Sequence, residues 1–598
     1  MQPVWRCRHL AIHPLPLGEI ALTRFSISPG FPSASPRRII LACYVPVNFG
    51  SPAVHLMNIL IKARFPMLLN RLSPEAMSIT WMLFTVLALI LLPGRALAGG
   101  KATHVVVVVW DGMRADFVTR ENTPNLMRLA AQGVEFTKHH PVYISTTEVN
   151  GTALATGMYP GESGIVGNKE FRPGIDPSNK VLVEELEVVR NGDKLTGGHY
   201  LKLPTVAETL HNEGMRTIIA GAKGVVLLED RAARPGNALG INLFAGEVLP
   251  NEHGRQLTEV LGQFPAQGSD GLARDLWTTR ALVGPLWDNG VPPFSLLWLS
   301  EPDRSQHETG PGSAASIAAI RHSDEALGRV LACLDEKSLR TETDVIVVSD
   351  HGFSTIGQNA EVAEALHANG FHSYRTVLAS GARESDIMVV GNGGSVFLYV
   401  NGHQSSQVGR IVQFLQSQPF CGVMFAQQEV EGAFRLHDVR MDASSAPDIV
   451  ISLRWKPDKS TNGAPGLIYS DYGKYGPGKG MHGSLSPFDM HNICIAAGPD
   501  FRKGFQDDLP TGNIDIAPTI LWLLGVKPPR QPSGRVLTEA LTQSSDAKPT
   551  CEVHRLEASC GGDGFTWHQY LKYSQVRGVL YFDEGNGEQV WSEALGGN

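Results

Sequence analysis

From residue 104 onward, short and almost purely apolar runs alternate with longer runs whose apolar residues recur at helical spacing. HVVVVVWDG (104–112) is nearly all valine, the pattern of a strand covered on both faces. TPNLMRLAAQG (123–133) follows as a helix with proline near its start and glycine after its end. LPTVAETLHNEGMRTIIAG (203–221) reads as helix, glycine stop and buried strand. FSLLWLSEPD (294–303), the long helical SIAAIRHSDEALGRVLACLDE (316–336) and DVIVVSDHG (344–352) repeat that theme. Strands alternating with helices predict an α/β domain with a mostly parallel central sheet between helices. Residues 354–480 interrupt it with glycine-rich and polar stretches around the strand-like SVFLYV and PDIVISLRW, and read as an inserted cap subdomain. NICIAAGPD and the helical DIAPTILWLLG (515–525) resume the core theme, placing the catalytic domain at 99–545. The remainder, 546–598, reads as a linker and a hairpin-like extension, LKYSQVRGVLYFDEGNG, whose Trp and Tyr side chains are packing groups.

One apolar run does not belong to the fold. MSITWMLFTVLALILLPGRALAGG (77–100) has a core of roughly a dozen apolar residues followed by Ala96-Leu97-Ala98, the form of a secretory signal cleaved after Ala98. It is shorter than the about 20 residues a spanning helix needs, and no cysteine follows the cut, so no stable membrane anchor is expected. The protein is expected to be exported, periplasmic or secreted. A signal must begin a chain, so residues 1–76, which lack sustained periodicity, are expected to be an over-extended or unstructured N-terminus, with the true start at Met67 or Met77.

Charge narrows the partners. A net charge of −8 and no long Lys/Arg block argue against nucleic acid. Five cysteines follow Ala98, and in an oxidising compartment Cys551 and Cys560 are the closest candidates for a disulfide, while Cys333, Cys421 and Cys494 read as buried thiols.

Three buried strands run into aspartates, at Asp111, Asp303 and Asp350. Ligands of open α/β sheets bind beyond the carboxyl ends of the strands, so three acids converge where a site belongs. Each alone is an ordinary turn or capping residue. Imidazoles accompany them: His351 follows Asp350, His307 lies four residues after Asp303, and His482 sits in the glycine-rich GMHGSLSPFDMH. Mixed Asp/His sets suit zinc or a similar divalent ion, and a pair of such ions suits phosphoryl displacement. His491 is a rival to His482 but begins an apolar strand and reads as a core histidine; Lys223, in AGAKG, reads as a solvated turn residue.

The nucleophile candidates lie in ISTTEVNGTALATG (144–157). Ser145 and Glu148 match a capping box, so a helix starts here. A threonine hydroxyl at such an N-terminus has backbone N–H groups aimed at incoming phosphate. In order, WDGMRADFVTRENTPNLMRLAAQGVEF, TEVNGTALATGMYPGESGIVGN, EPDRSQHETGP, SDHGF, GMHG and GPDF resemble the type I phosphodiesterase/nucleotide pyrophosphatase family of the alkaline phosphatase superfamily, over roughly residues 103–530 apart from the insert.

The resemblance implies an alkaline-phosphatase-like fold and two divalent metal ions, zinc by preference. Asp111, Thr147, Asp350 and His351 would hold one, and Asp303, His307 and His482 the other. It makes Thr147 the nucleophile that forms a covalent phospho-threonine, with Asn150 helping to hold a phosphate oxygen. The implied substrate is a small-molecule phosphate diester or pyrophosphate. A phosphomonoesterase or phosphonate hydrolase of the same superfamily would use the same kind of site. A sulfatase would need a Cys or Ser opening a C/S-x-P-x-R motif, and residues 141–160 contain neither Cys nor Arg. A non-catalytic exported binding protein should have lost ligands, and all seven positions are present. Two departures stand out: Glu148 occupies the place where family members commonly carry an aromatic residue, and GSLSPFD follows His482 in place of the usual continuation.

Overall fold

The computed structural model describes residues 99–591 apart from 232, 234–236, 267–270, 377–382, 472, 544–547 and 563. The expected N-terminal segment, signal and alternative starts, residues 1–98, lie outside the described residues.

Nine strands make the central sheet: β1 (His104–Trp110), β2 (Val134–His140), β3 (Thr217–Gly221), β4 (Gly240–Phe244), β5 (Glu247–Leu249), β6 (Phe294–Leu299), β7 (Thr343–Val348), β8 (Cys494–Ala497) and β9 (Phe505–Gly512). Their spatial order is β9-β2-β8-β7-β1-β6-β3-β4-β5. β1, the valine run, sits between β6 and β7 and is parallel to both. The sheet is mostly parallel, with β8 antiparallel to both β7 and β2 and β5 antiparallel to β4.

The valines of β1 divide between two cores, as period-2 geometry requires. Val105, Val107 and Val109 join Leu154 and the helix Ile516–Leu523 on one face. Val106 and Val108 meet Leu126 and Leu129 of α1 (Pro124–Gln132) and residues of a long helix, Ala314–Glu336, on the other. Each buried valine contributes about 1.5–3 kcal/mol, which fixes this strand at the centre.

The segment after β7 carries two sheets of its own. One has four strands, Trp455–Lys459, Pro465–Asp471, Ser354–Ala360 and Gly480–Met481; the other has six, with SVFLYV at its interior as Ser395–Val400. Helices Val362–Ala368 and Ser405–Gln416 share a core with one face of the larger sheet, and its opposite face shares one with residues 142–201 and the C-terminal strands.

The C-terminal hairpin proves to be two-thirds of a three-stranded antiparallel sheet: β10 (Cys551–Gly562), β11 (Phe565–Val576) and β12 (Val579–Trp591). β10 alternates polar and apolar side chains poorly, which hid it in the sequence. Its presence overturns the expected disulfide. Cys551 and Cys560 are both free and lie on this one strand, opposite Val576 and Trp567. Nine residues of extended chain separate them by roughly 30 Å, far beyond disulfide reach. Trp567 is fully buried against the insert, where its Nε1 donates to the carbonyl of Gly432 at 3.2 Å.

Candidate active site

The register of the sheet brings the acids together. Val109 lies opposite Val348, and Trp110 opposite Leu299, so Asp111, Asp350 and the turn toward Asp303 leave the sheet at one edge. Gly112 makes the turn possible: its φ is +69°, and a Cβ there would stand 2.9 Å from the Phe353 ring and 3.1 Å from Asp303 Cα. The Asp303 N–H donates to the Asp111 carbonyl at 2.9 Å and opens a short helix, α3 (Asp303–Thr309), whose i, i+4 spacing puts Asp303 and His307 on one face. His482 arrives from the far side, on the loop after Gly480–Met481.

Each carboxylate uses one oxygen structurally and leaves the other open. Asp111 Oδ2 accepts from Trp298 Nε1 at 2.7 Å and pairs with Lys223 Nζ at 2.9 Å. Asp350 Oδ1 accepts the N–H groups of Gly112 and His351 at 2.9 and 3.0 Å. Asp303 Oδ2 meets Lys223 Nζ at 3.2 Å. Asp111 Oδ1, Asp350 Oδ2 and Asp303 Oδ1 are buried without a hydrogen bond among the described residues.

The imidazoles face those open oxygens. His351 Nδ1 donates to the Gly352 carbonyl at 2.8 Å, His307 Nδ1 to Gly480 at 2.9 Å, and His482 Nδ1 to Ser145 at 2.9 Å. In the neutral ring each Nε2 then carries a lone pair. His351 Nε2 lies 3.2 Å from Asp350 Oδ2 and 3.7 Å from Asp111 Oδ1; His307 and His482 Nε2 lie 3.3 and 3.5 Å from Asp303 Oδ1. An Nδ1–H pinned by a carbonyl is how proteins present Nε2 to a metal.

Electrostatics point the same way. Burial pushes Asp111 up to about 7 against the pull of Lys223, and burial and Asp111 raise Asp350 well above the carboxylate range. Burial drives His351 down to about 3 and lowers His482 strongly, with the neighbouring imidazoles adding to the effect on His482. Burial also raises Asp303, but Lys223 and His307 outweigh it and hold that carboxyl well below its usual range. Facing lone pairs on buried carboxylates and imidazoles fit divalent cations, which would offset the uncompensated charge. Two trios have ligand atoms within 4.8 Å of one another, Asp111–Asp350–His351 and Asp303–His351–His482.

The nucleophile candidate stands beside them. α2 (Thr147–Thr156) begins at Thr147, whose Oγ1 lies 3.2 Å from His351 Nε2. The expected capping box is absent. The N-cap is Thr146, one residue later than that pattern requires, and it makes no side-chain cap bond; the Ser145 hydroxyl instead donates to the Ser484 carbonyl at 2.9 Å. Cross-chain contact with the His482 loop outcompetes the local cap.

Asn150 is also differently employed. Its Oδ1 accepts from the Val142 N–H at 2.8 Å and from Asn513 Nδ2 at 3.1 Å, while its Nδ2 donates to the carbonyls of Val142, Ile144 and Thr146 at 3.1–3.3 Å. An amide engaged at both ends braces the segment before Thr147, so the expected contact with a phosphate oxygen does not follow from this geometry.

One polar residue escaped the sequence reading and another was misread. Asn168, the last residue of GESGIVGN, accepts the Glu148 N–H through Oδ1 at 3.1 Å, which ties it to the first turn of α2. Lys223 is no solvated turn residue: its side chain is 25% exposed and its ammonium bridges Asp111 and Asp303. Burial disfavours its charge, but Asp111 and Asp303 overcome this and raise it well above the lysine range. Neither residue has a period or spacing that marks it in a sequence. Glu148 is 6% exposed, and burial and the nearby Glu184 raise its carboxyl well above the usual range.

Sheet topology and the acid-imidazole edge define an alkaline-phosphatase-like fold. Murine ectonucleotide pyrophosphatase/phosphodiesterase 5 superposes with a TM-score of 0.53 at 16% identity, over 73% of this chain and 100% of that one. The sequence profile of the type I phosphodiesterase / nucleotide pyrophosphatase family matches residues 105–483, and the chain belongs to that family of hydrolases. Among its relatives, a bis(5'-adenosyl)-triphosphatase of Xenopus laevis is 22% identical over 437 residues, 72% of this chain and 80% of that protein. Human ectonucleotide pyrophosphatase/phosphodiesterase family member 1 is 25% identical over 257 residues, 43% of this chain but only 24% of that protein.

Proposed function

We propose that the protein is an exported hydrolase that cleaves phosphate diester or pyrophosphate bonds of small molecules through a phospho-threonine on Thr147. The observation that carries this reading is the set of three buried, unpartnered carboxylate oxygens facing three imidazole Nε2 atoms beside a threonine at a helix N-terminus. Two divalent cations, zinc by preference, held by Asp111, Thr147, Asp350 and His351 and by Asp303, His307 and His482, would supply charge neutralisation and hydroxyl activation there. The chain does the rest. Thr147 Oγ1 attacks phosphorus in line with the leaving oxygen, and the backbone N–H groups that open α2 receive the non-bridging oxygens. Asn168 Nδ2 donates toward the same oxygens, the role expected of Asn150, which instead braces the segment that carries Thr147. Lys223 adds a fixed positive charge at the acid edge. Water then cleaves the phospho-threonine and restores the hydroxyl.

Export rests on the residue 77–98 pattern; no helix among the described residues is long and apolar enough to cross a membrane. A nucleotide is a fitting test substrate, because the Xenopus relative is a bis(5'-adenosyl)-triphosphatase and an inactive form of the murine one has been solved in complex with AMP.

The purified mature chain should turn over an aryl phosphodiester and a nucleotide pyrophosphate faster than an aryl monoester. Excess chelator should abolish turnover and Zn²⁺ restore it. A preference for the monoester would move the protein to the phosphomonoesterase reading, and full turnover in chelator would end the metal reading.

A further inference from the structure

A second place in the molecule repeats the arrangement that marks the catalytic histidines. His140, the last residue of β2, is buried and donates through Nδ1 to the Thr511 carbonyl at 3.2 Å. Its Nε2 therefore carries the lone pair in the neutral ring. That lone pair faces Asp583 Oδ1 on β12 at 3.0 Å and His491 Nε2 at 3.2 Å. A carboxylate oxygen and two imidazole nitrogens converge there, with ligand atoms all within 4.8 Å of one another.

The surroundings fix the trio. Ser574 donates to the other Asp583 oxygen at 3.0 Å, orienting the carboxylate, and the two rings meet edge to face with centroids 4.7 Å apart. The Asp583 side chain is 29% exposed, which leaves an entry path and room for a water as fourth ligand.

We propose that His140 Nε2, His491 Nε2 and Asp583 form a third metal site, distinct from the catalytic edge, for a zinc-like divalent cation. Two imidazoles and one carboxylate suit zinc and its first-row neighbours over calcium or magnesium. The site joins three segments distant in sequence: the strand that leads into Thr147, the chain just beyond His482, and the C-terminal sheet. Its consequence for the fold is a staple. His139, next in line, bonds through Nε2 to Asn513 at 3.0 Å, and Asn513 in turn holds Asn150 and the Asp350 carbonyl.

Anomalous diffraction at the zinc edge, on crystals of the full mature chain grown with zinc, tests the site in the unmodified protein. A peak about 2.0–2.2 Å from both Nε2 atoms is expected. Zinc content after dialysis should fall by one ion per chain in His491→Ala and in Asp583→Asn. Peaks at the catalytic clusters with none between His140 and His491 overturn the proposal and leave the catalytic reading intact. So does equal zinc content in wild type and His491→Ala; the metal-free reading, a direct hydrogen bond between His140 and Asp583, then stands. A peak at His140 with empty catalytic clusters supports the third site and sinks the two-metal mechanism.

Discussion

Asp111, Asp350 and His351 stand at or just beyond the ends of two neighbouring strands, whereas Asp303 and His307 stand on a short helix and His482 on a loop that the insert delivers. The first group is wholly buried. The second is slightly open, with side chains 7% exposed at Asp303 and His482 and 15% at His307. Sheet register positions the first group as soon as the central strands pair. The second exists only once the insert has folded and its returning strand, Gly480–Met481, has docked against Ser354–Ala360. One half of the site is thus an outcome of core packing and the other of tertiary docking, and they should fail differently.

The largest effect should come from Thr147, the proposed nucleophile, which stands on the sheet side beside His351. Thr147→Ala should lower kcat by about 10⁴ or more, while Thr146→Ala stays within about tenfold. The reverse ranking, in steady-state assays on an aryl diester, would show that Thr146 is the nucleophile. Next, Asp350→Asn and His307→Ala separate the halves. Asp350→Asn should lose activity that added zinc does not recover. His307→Ala should lose about 10–100-fold, largely recovered by raising zinc, because Asp303 and His482 remain. Equal rescue of both variants would erase the distinction.

A smaller effect isolates docking. Gly483 has φ of +100°, and a Cβ there would stand 2.6 Å from the Asn392 carbonyl, so Gly483→Ala must shift the His482 loop. Zinc titration should show one weakened ion and one unchanged; weakening of both would mean that the halves are not independent.

The smallest effect is a control at the other end of β7. Asp344 also has a buried oxygen without a partner, but among the described residues no metal-binding cluster includes it. Burial and Asp500 push it up to about 8. A carboxyl raised in the folded state stabilises fully below its unfolded value of 3.8, and that stability is lost as pH climbs through about 8. Asp344→Asn should therefore leave kcat unchanged and melt higher than wild type by roughly a few degrees at about pH 8, with the gap closing toward about pH 5. A gap that does not change with pH would show that Asp344 is ionised throughout.

The valine run of β1 was legible because a strand buried on both faces can be little else, and the aspartates at strand ends were legible because chain order already places them at one edge. The helix Pro124–Gln132 announced both its ends, with proline inside the start and glycine after the stop. Strand β10 was missed because edge strands lack a strong pattern, and with it went the disulfide between Cys551 and Cys560. The capping box misled because Ser145 found a partner, the Ser484 carbonyl, 339 residues away. Lys223 was misread for the same reason: an isolated lysine after a strand looks solvated until two carboxylates from other strands close on it.

The sequence by itself determined the α/β alternation, the sheet edge where acids gather, and the residues able to bind metal, since these depend on local period and on residue chemistry. Tertiary structure alone decided which nitrogen each histidine presents, that Asn150 braces the segment before Thr147 while Asn168 holds the Glu148 N–H, and that His491 meets His140 and Asp583 instead of the catalytic edge. For His307, His482 and His491 the partner comes from a segment far along the chain, Gly480, Ser145 and His140 respectively, and only the packed chain brings them within hydrogen-bonding distance.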